Sequence, residues 1–150
     1  MKVSTQIDIN STKEKVWQVI TDIENSANVI SGIINIEILH PAEGDFVGLK
    51  WRETRKMFGK EAQEIMWITD SKEVHYYQTR AESHGAVYIS RLAITEKNND
   101  VVTLEMSFEG QSITLMAKIM SGIFSIFMKK SMRKALEIDL QDIKNYCEAN

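Results

Sequence analysis

Three charged residues, Glu53, Arg55 and Glu64, make the pattern in this sequence that could do chemistry. From Val47 to Asp70 the chain reads as a β-hairpin. Lys50, Arg52, Thr54 and Lys56 fall on one face of its first arm, and Leu49, Trp51, Glu53, Arg55 and Met57 on the other. The first set is polar and takes the solvent. Glu53 and Arg55 are therefore carried to the inner face between Trp51 and Met57, where a charge is costly unless paired. A tight turn at Phe58-Gly59 pairs Met57 with Lys60 and sets Arg55, Glu53 and Trp51 opposite Ala62, Glu64 and Met66, which brings Glu64 into the inner set. A shift of one residue would turn Ile65 and Trp67 inward instead. An inward arginine between two carboxylates can do one of three things. It can neutralise the acids in a buried network, fix the polar end of a ligand, or hold a carbonyl substrate while one carboxylate moves a proton. Arg55 would also lower the pKa of a neighbouring carboxylate, which makes that group a poor general acid at neutral pH.

A second candidate is His84, beside Gly85 at a turn, with Glu82 two residues earlier. The two form an acid-base pair at a cavity mouth if the strand continues, and otherwise His84 is an ordinary loop histidine. The catalytic set thus stays open among Glu53, Arg55, Glu64 and His84. His40, His75 and His84 have no metal-ligand spacing and no cysteine near them, so neither a metal nor another cofactor is expected. Closely spaced glycines for a phosphate loop and a Gly-x-Ser-x-Gly elbow are both missing from the sequence, which leaves nucleotide and serine-hydrolase chemistry without support. Cys147, the single cysteine, falls on an apolar helix stripe and is expected to be a packed thiol.

The elements that must position these groups end in a long helix, expected from about Gln111 to Asn150. Its first half, Ile113 to Met128, is apolar over roughly two thirds of the circumference, more than one buried side needs. The second half narrows to one stripe of Met132, Leu136, Leu140, Ile143 and Cys147. The surplus apolar arc can face a ligand cavity, a partner or a lipid surface. Met116, Met120, Ile123, Phe124 and Phe127 are the expected lining from the helix; Trp51, Met66, Tyr88, Met106 and Phe108, together with Glu53 and Arg55, are the expected lining from the strands. A helix of this length overhangs a compact domain or breaks, and Ser121-Gly122 is the weak point. Lys129, Lys130, Arg133 and Lys134 read as a solvated back, with Arg133 and Glu137 as an i,i+4 pair, or as a contact for an acidic partner.

Ahead of the helix, Val3, Thr5, Ile7 and Ile9 alternate with polar residues as a first strand, and Ser11-Thr12-Lys13-Glu14 has the pattern of a capping box. Val16, Trp17, Ile20 and Ile23 give a short helix its buried side, and a second helical piece spans Glu24 to Ile30. Ile34, Ile36 and Ile38 read as the inner face of the next strand. Strands follow the hairpin at Glu73 to Ala81, Ala86 to Glu96 and Val101 to Glu109, the last with Val102, Leu104, Met106 and Phe108 inward. A chain of 150 residues suits one domain, 1–150, and buries roughly 70% of its extended surface without disulfides. The net charge of −3 argues against nucleic acid as a partner. The opening alternates as a strand, not a signal sequence, and the apolar run is too short and interrupted to span a membrane. A cytoplasmic monomer or homodimer is expected.

The order strand, two short helices, about six antiparallel strands and a long C-terminal helix resembles the helix-grip fold of the START-like, or SRPBCC, superfamily, in its polyketide cyclase/dehydrase-like branch. The resemblance runs along essentially the whole chain. It is carried most specifically by Glu53-Thr54-Arg55-Lys56-Met57-Phe58-Gly59, Ala81-Glu82-Ser83-His84-Gly85, Phe108-Glu109-Gly110 and the amphipathic ending Met132 to Tyr146. It implies an α+β fold in which a curved antiparallel sheet of about seven strands wraps the long helix, with a cavity between them for a lipid-like or polyketide-like molecule. Three functions fit: a carrier or sensor of a small hydrophobic molecule, a cyclase or dehydratase, and an interaction module that uses the apolar half of the last helix.

Overall fold

The computed structural model describes residues 1–57, 59–83, 85–112 and 115–149, with side chains outside 112–128. Strand β1 (Lys2–Ile9) leads into helix α1 (Lys13–Thr21), a 3-10 turn (Ile23–Asn25) and the single-turn helix α2 (Ser26–Val29). Six further strands follow: β2 (Ile33–His40), β3 (Lys50–Met57), β4 (Lys60–Lys72), β5 (Tyr76–Ser83), β6 (Ala86–Asn98) and β7 (Val101–Ser112). Helix α3 (Leu115–Ala149) ends the chain. The seven strands form one antiparallel sheet in the order β1-β7-β6-β5-β4-β3-β2, so the first strand closes against the last and β2 is left at the other edge. Among the described residues no helix is long and apolar enough to cross a membrane.

Period-two patterning places the inner face. Val3 and Ile9 of β1, Ile68 of β4, Tyr77 of β5, Leu92 and Ile94 of β6, and Val102, Leu104 and Met106 of β7 are all buried in one core. Met132, Leu136, Leu140, Ile143 and Cys147 of α3 lie in the same cluster, so the narrow stripe is the side of the helix that the sheet grips. Full burial of each large apolar side chain contributes about 1.5–3 kcal/mol, so this stripe attaches the second half of the helix firmly to the sheet. Polar contacts add direction at its back. Arg133 donates to the Ser4 carbonyl at 3.0 Å, instead of pairing with Glu137, and Lys144 donates to the Asp8 carbonyl at 2.8 Å.

The hairpin register is the one the Phe58-Gly59 turn demands: Met57 lies opposite Lys60, Arg55 opposite Ala62, Glu53 opposite Glu64 and Trp51 opposite Met66. Gly59 has φ +80°, a conformation that glycine adopts without a Cβ penalty; Phe58 itself is outside the described residues. Ile65 is 38% exposed, and Trp67 shares the outer face with Lys50, whose ammonium sits 5.6 Å from its ring centroid.

Several expectations are corrected. The cap of α1 is Thr12, whose Oγ1 accepts from the Lys15 amide at 3.2 Å, not Ser11. Ile34 is 48% exposed, because a register shift between Ile33 and Asn35 reverses side-chain parity; Ile33 is buried in its place, and Ile36 and Ile38 still pack on the core. Strand β5 begins at Tyr76, since residues 73–75 form a turn with Val74 at φ +63°. Strand β7 continues to Ser112, paired with Ala86, so the helix begins at Leu115 and not at Gln111. Of the two outcomes expected for so long a helix, overhang or a break at Ser121-Gly122, an interruption is not seen, since the backbone is helical over all 35 residues of α3.

Candidate functional site

Strands β3 to β7, the segment from Ile23 to Ile33 and the second half of α3 line an open cavity of about 650 Å³. Most of its wall is apolar. Of the residues expected there, Trp51, Met66, Tyr88, Met106 and Phe108 line it, as do Glu53, Arg55 and Glu64. The side chains of Met116, Met120, Ile123, Phe124 and Phe127, and all of His84, lie outside the described residues. The rings of Tyr88 and Phe108 stack with centroids 5.7 Å apart, next to Gly110 of the same strand as Phe108. Thr79 and Ser90, opposite one another on β5 and β6, add hydroxyl groups to the wall.

The polar cluster has a different membership from the expected one. Arg55 Nε donates to Glu53 Oε2 at 3.0 Å, as strand parity requires. Its Nη1 donates to Asp139 of α3, at 2.9 Å to Oδ2 and 3.2 Å to Oδ1. Asp139 therefore takes the place on the guanidinium that Glu64 was expected to fill, while Glu64 borders the cavity across the ladder from Glu53. Sequence reasoning missed Asp139. A signal existed, because position 139 lies three residues after Leu136 and four before Ile143, on the buried stripe, where an acid demands a partner.

Burial governs the electrostatics. It works against the charge on Arg55, but Asp139 and Glu53 outweigh it and hold the guanidinium above its ordinary pKa. Burial also pushes the Asp139 carboxyl above the usual aspartate value; Arg55 offsets only part of this, and Glu53 and Asp142 add to it. Arg55 lowers the pKa of Asp139 in the expected direction, but desolvation is the larger effect and sets the net rise. Burial, then the charge of Glu64, raise the Tyr88 phenol. The Tyr77 phenol is raised by burial and by Glu53, and its O–H donates to the Ile20 carbonyl at 3.1 Å, tying β5 to α1.

One helical turn beyond Asp139, α3 also holds the wall opposite. Asp142 Oδ2 accepts from the Ser31 amide at 2.9 Å and from its hydroxyl at 2.7 Å, and the Lys56 amide donates to the Gly32 carbonyl at 3.0 Å. Residues 31 and 32 are thereby clamped between β3 and α3. Among the described residues, the buried Trp51 Nε1 on the inner face has no hydrogen-bond partner.

Glu82 does not reach the cavity. Tyr77, Thr79 and Ala81 are the inward residues of β5, so Glu82 points out, where Arg80 grips Oε1 at 2.7 and 2.9 Å. Glu82 thus supplies no carboxylate to the cavity for the acid-base alternative, and His84 lies outside the described residues. Among the described residues no group of three or more His, Cys, Asp or Glu side chains is placed to hold a metal ion.

The antiparallel sheet and the long C-terminal helix packed against it define a protein of the helix-grip fold. The chain belongs to the family described as polyketide cyclase/dehydrase and lipid transport, whose model matches residues 1–148. Solved structures show the same fold at low identity. A protein from Thermus thermophilus is 13% identical with a TM-score of 0.80, over 99% of this chain and 98% of that one. The Zhui aromatase/cyclase from a Streptomyces species is 12% identical with a TM-score of 0.78, over 99% and 93%. A START superfamily protein from Mycobacterium smegmatis is 16% identical with a TM-score of 0.65, over 91% and 97%. No curated protein matches the sequence.

Proposed function

We propose that this protein binds a small, largely apolar molecule between its sheet and its C-terminal helix, as a carrier or a sensor. The observation that carries this reading is the cavity of about 650 Å³, apolar over most of its wall with a few converging polar groups. That size falls in the range of small-molecule sites, and such a lining buries an apolar body while orienting one end. Family membership supports the same class of ligand. The test is native mass spectrometry of the gently purified protein, followed by solvent extraction, together with titration of the neutral fluorophore N-phenyl-1-naphthylamine. A co-purifying molecule of a few hundred daltons or saturable one-to-one uptake of the fluorophore is expected; failure of both overturns the reading.

A second reading, catalysis of the cyclase or dehydratase type, draws on one observation. Asp139 is a buried carboxyl on the cavity wall whose pKa lies above the ordinary value, the direction a general acid needs. Against it stands the double grip of Arg55 on both Asp139 oxygens, which favours an orienting role. Asp139→Asn that still takes up a substrate but converts it a hundredfold more slowly would favour the enzyme.

A further inference from the structure

Resting on the cavity reading above, two hydroxyl groups at the centre of the sheet narrow the ligand further. Thr79 of β5 and Ser90 of β6 lie opposite one another, and both line the cavity. Strand β5 is the central strand of the sheet, and Tyr77, Thr79 and Ala81 alternate along its buried face, so the pair sits at mid-sheet. Its neighbours are apolar: Ile68 stands across from Thr79 on β4, Phe108 stands across from Ser90 on β7, and Tyr77 opposite Leu92 flanks the pair along the strands.

The fold makes no use of either hydroxyl. Among the described residues, no hydrogen bond joins Thr79 Oγ1 or Ser90 Oγ to another protein group, or one to the other, although Thr79 is only 7% exposed. On the outer face of the sheet, by contrast, Thr54, Thr69 and Thr103 all bond to neighbouring side chains. Valine has the shape of threonine, suits a strand as well and leaves no polar group to satisfy, so packing alone gives no reason for a hydroxyl at position 79. Solvent entering the open cavity can bond to both groups; a ligand that covers them displaces it and must replace those bonds or lose affinity. Each hydroxyl can donate and accept, and opposed residues on adjacent strands have Cβ atoms about 4.5–5.5 Å apart, so a single ligand oxygen lies within reach of both. A neutral oxygen suits the pair better than an ion, which would lose its hydration among apolar neighbours.

We infer that Thr79 and Ser90 form a subsite for a neutral ligand oxygen, a carbonyl or hydroxyl carried partway along an apolar body, and that the pair discriminates against the hydrocarbon of the same shape. Both hydroxyls donate to that oxygen, and the apolar body lies over Leu92 and Phe108.

The experiment is equilibrium dialysis of the full chain at pH 7 against fluorene, 9-fluorenol and 9-fluorenone, which share one tricyclic frame and differ at one carbon, with bound ligand measured by chromatography. The alcohol and the ketone are each expected to bind at least fivefold more tightly than fluorene, although the hydrocarbon is the most strongly expelled from water. Thr79→Val should reduce that preference at least threefold, Thr79→Ser should retain it, and Ser107→Ala, on the outer face of β7, should leave it unchanged. Fluorene bound by the wild-type chain as tightly as the ketone, or uptake of N-phenyl-1-naphthylamine with no uptake of any tricycle, overturns the subsite and leaves the cavity reading standing; neither result depends on a variant that folds. A preference that Thr79→Val and Ser90→Ala both leave intact, at unchanged thermal midpoints, also overturns the subsite, because another group then holds the oxygen. If neither the tricycles nor N-phenyl-1-naphthylamine bind, the cavity reading fails and this inference with it.

Discussion

Arg55 of β3 and Asp139 of α3, 84 residues apart in sequence, are joined by two hydrogen bonds from one nitrogen, Nη1, at 2.9 and 3.2 Å. The contact fixes the helix over the polar end of the cavity and fixes the guanidinium against a strand that already holds it through Glu53. A buried pair of this kind is a weak source of net stability but a costly one to break from one side.

Arg55→Leu should therefore lower stability by about 3–5 kcal/mol at pH 7, by leaving Glu53 and Asp139 without their cation. Urea denaturation at several pH values checks this. The deficit should shrink in acid as Asp139, whose pKa lies above the ordinary value, protonates. A loss that does not vary with pH would mean that packing, not charge, is what Arg55 supplies.

Asp139→Asn should cost less than Arg55→Leu, since an amide retains an acceptor for Nη1. The sign of its pH effect follows from a folded-state pKa above 3.8. The native state binds the proton more tightly, so Asp139 favours folding most at pH below 3.8, and this contribution is lost as pH rises through its folded-state pKa. The variant should lose that component of the stability profile. An unchanged profile in acid would show that the carboxyl titrates normally.

Cys147 gives the same sign at the alkaline end. Burial pushes its thiol from 9.0 up to about 11, with Lys15 opposing and Glu148 adding to the shift. Its share of stability is full below pH 9 and fades as pH rises through 11, a loss of at most about 2–3 kcal/mol at 1.36 kcal/mol per pKa unit. Cys147→Ala should be less stable at pH 7 yet decline less steeply between pH 9 and 11, as read by chemical denaturation across that range.

Ser31 and Asp142 clamp the segment that forms one cavity wall. Asp142→Ala should cost about 1–3 kcal/mol through the two donors left behind, and amide hydrogen exchange should quicken in residues 23–33 before the rest of the protein. Uniformly faster exchange would assign Asp142 to global stability instead.

Ser90→Phe tests the cavity itself. A ring placed on the wall fills space without removing a polar contact seen in the structure, so uptake of N-phenyl-1-naphthylamine should fall at least tenfold while the thermal midpoint holds or rises. Undiminished uptake would put the fluorophore elsewhere.

The sequence alone determined the elements whose periodicity is long and whose turns are chemically specific. The β3–β4 register was legible because alternation has a period of two and Gly59 permits the one tight turn compatible with it, so Trp51, Glu53, Arg55, Glu64 and Met66 could be sent to one face together. The α3 stripe from Met132 to Cys147 was legible because 3.6 residues per turn leaves a single apolar line. Other features were decided by the tertiary structure. The parity of β2 turned on a bulge at the sheet edge that no residue type announces, which exposed Ile34 and buried Ile33. Glu82 turned outward because Tyr77 fixed the inner face of β5 by packing on Trp17 and Phe46. Asp139 met Arg55 only because the packing of the helix brings its side chain within reach of β3 at that level. Local patterning sets the direction of a side chain within its element, but a partner 84 residues away is chosen by where two elements are packed, and that is a property of the assembled core.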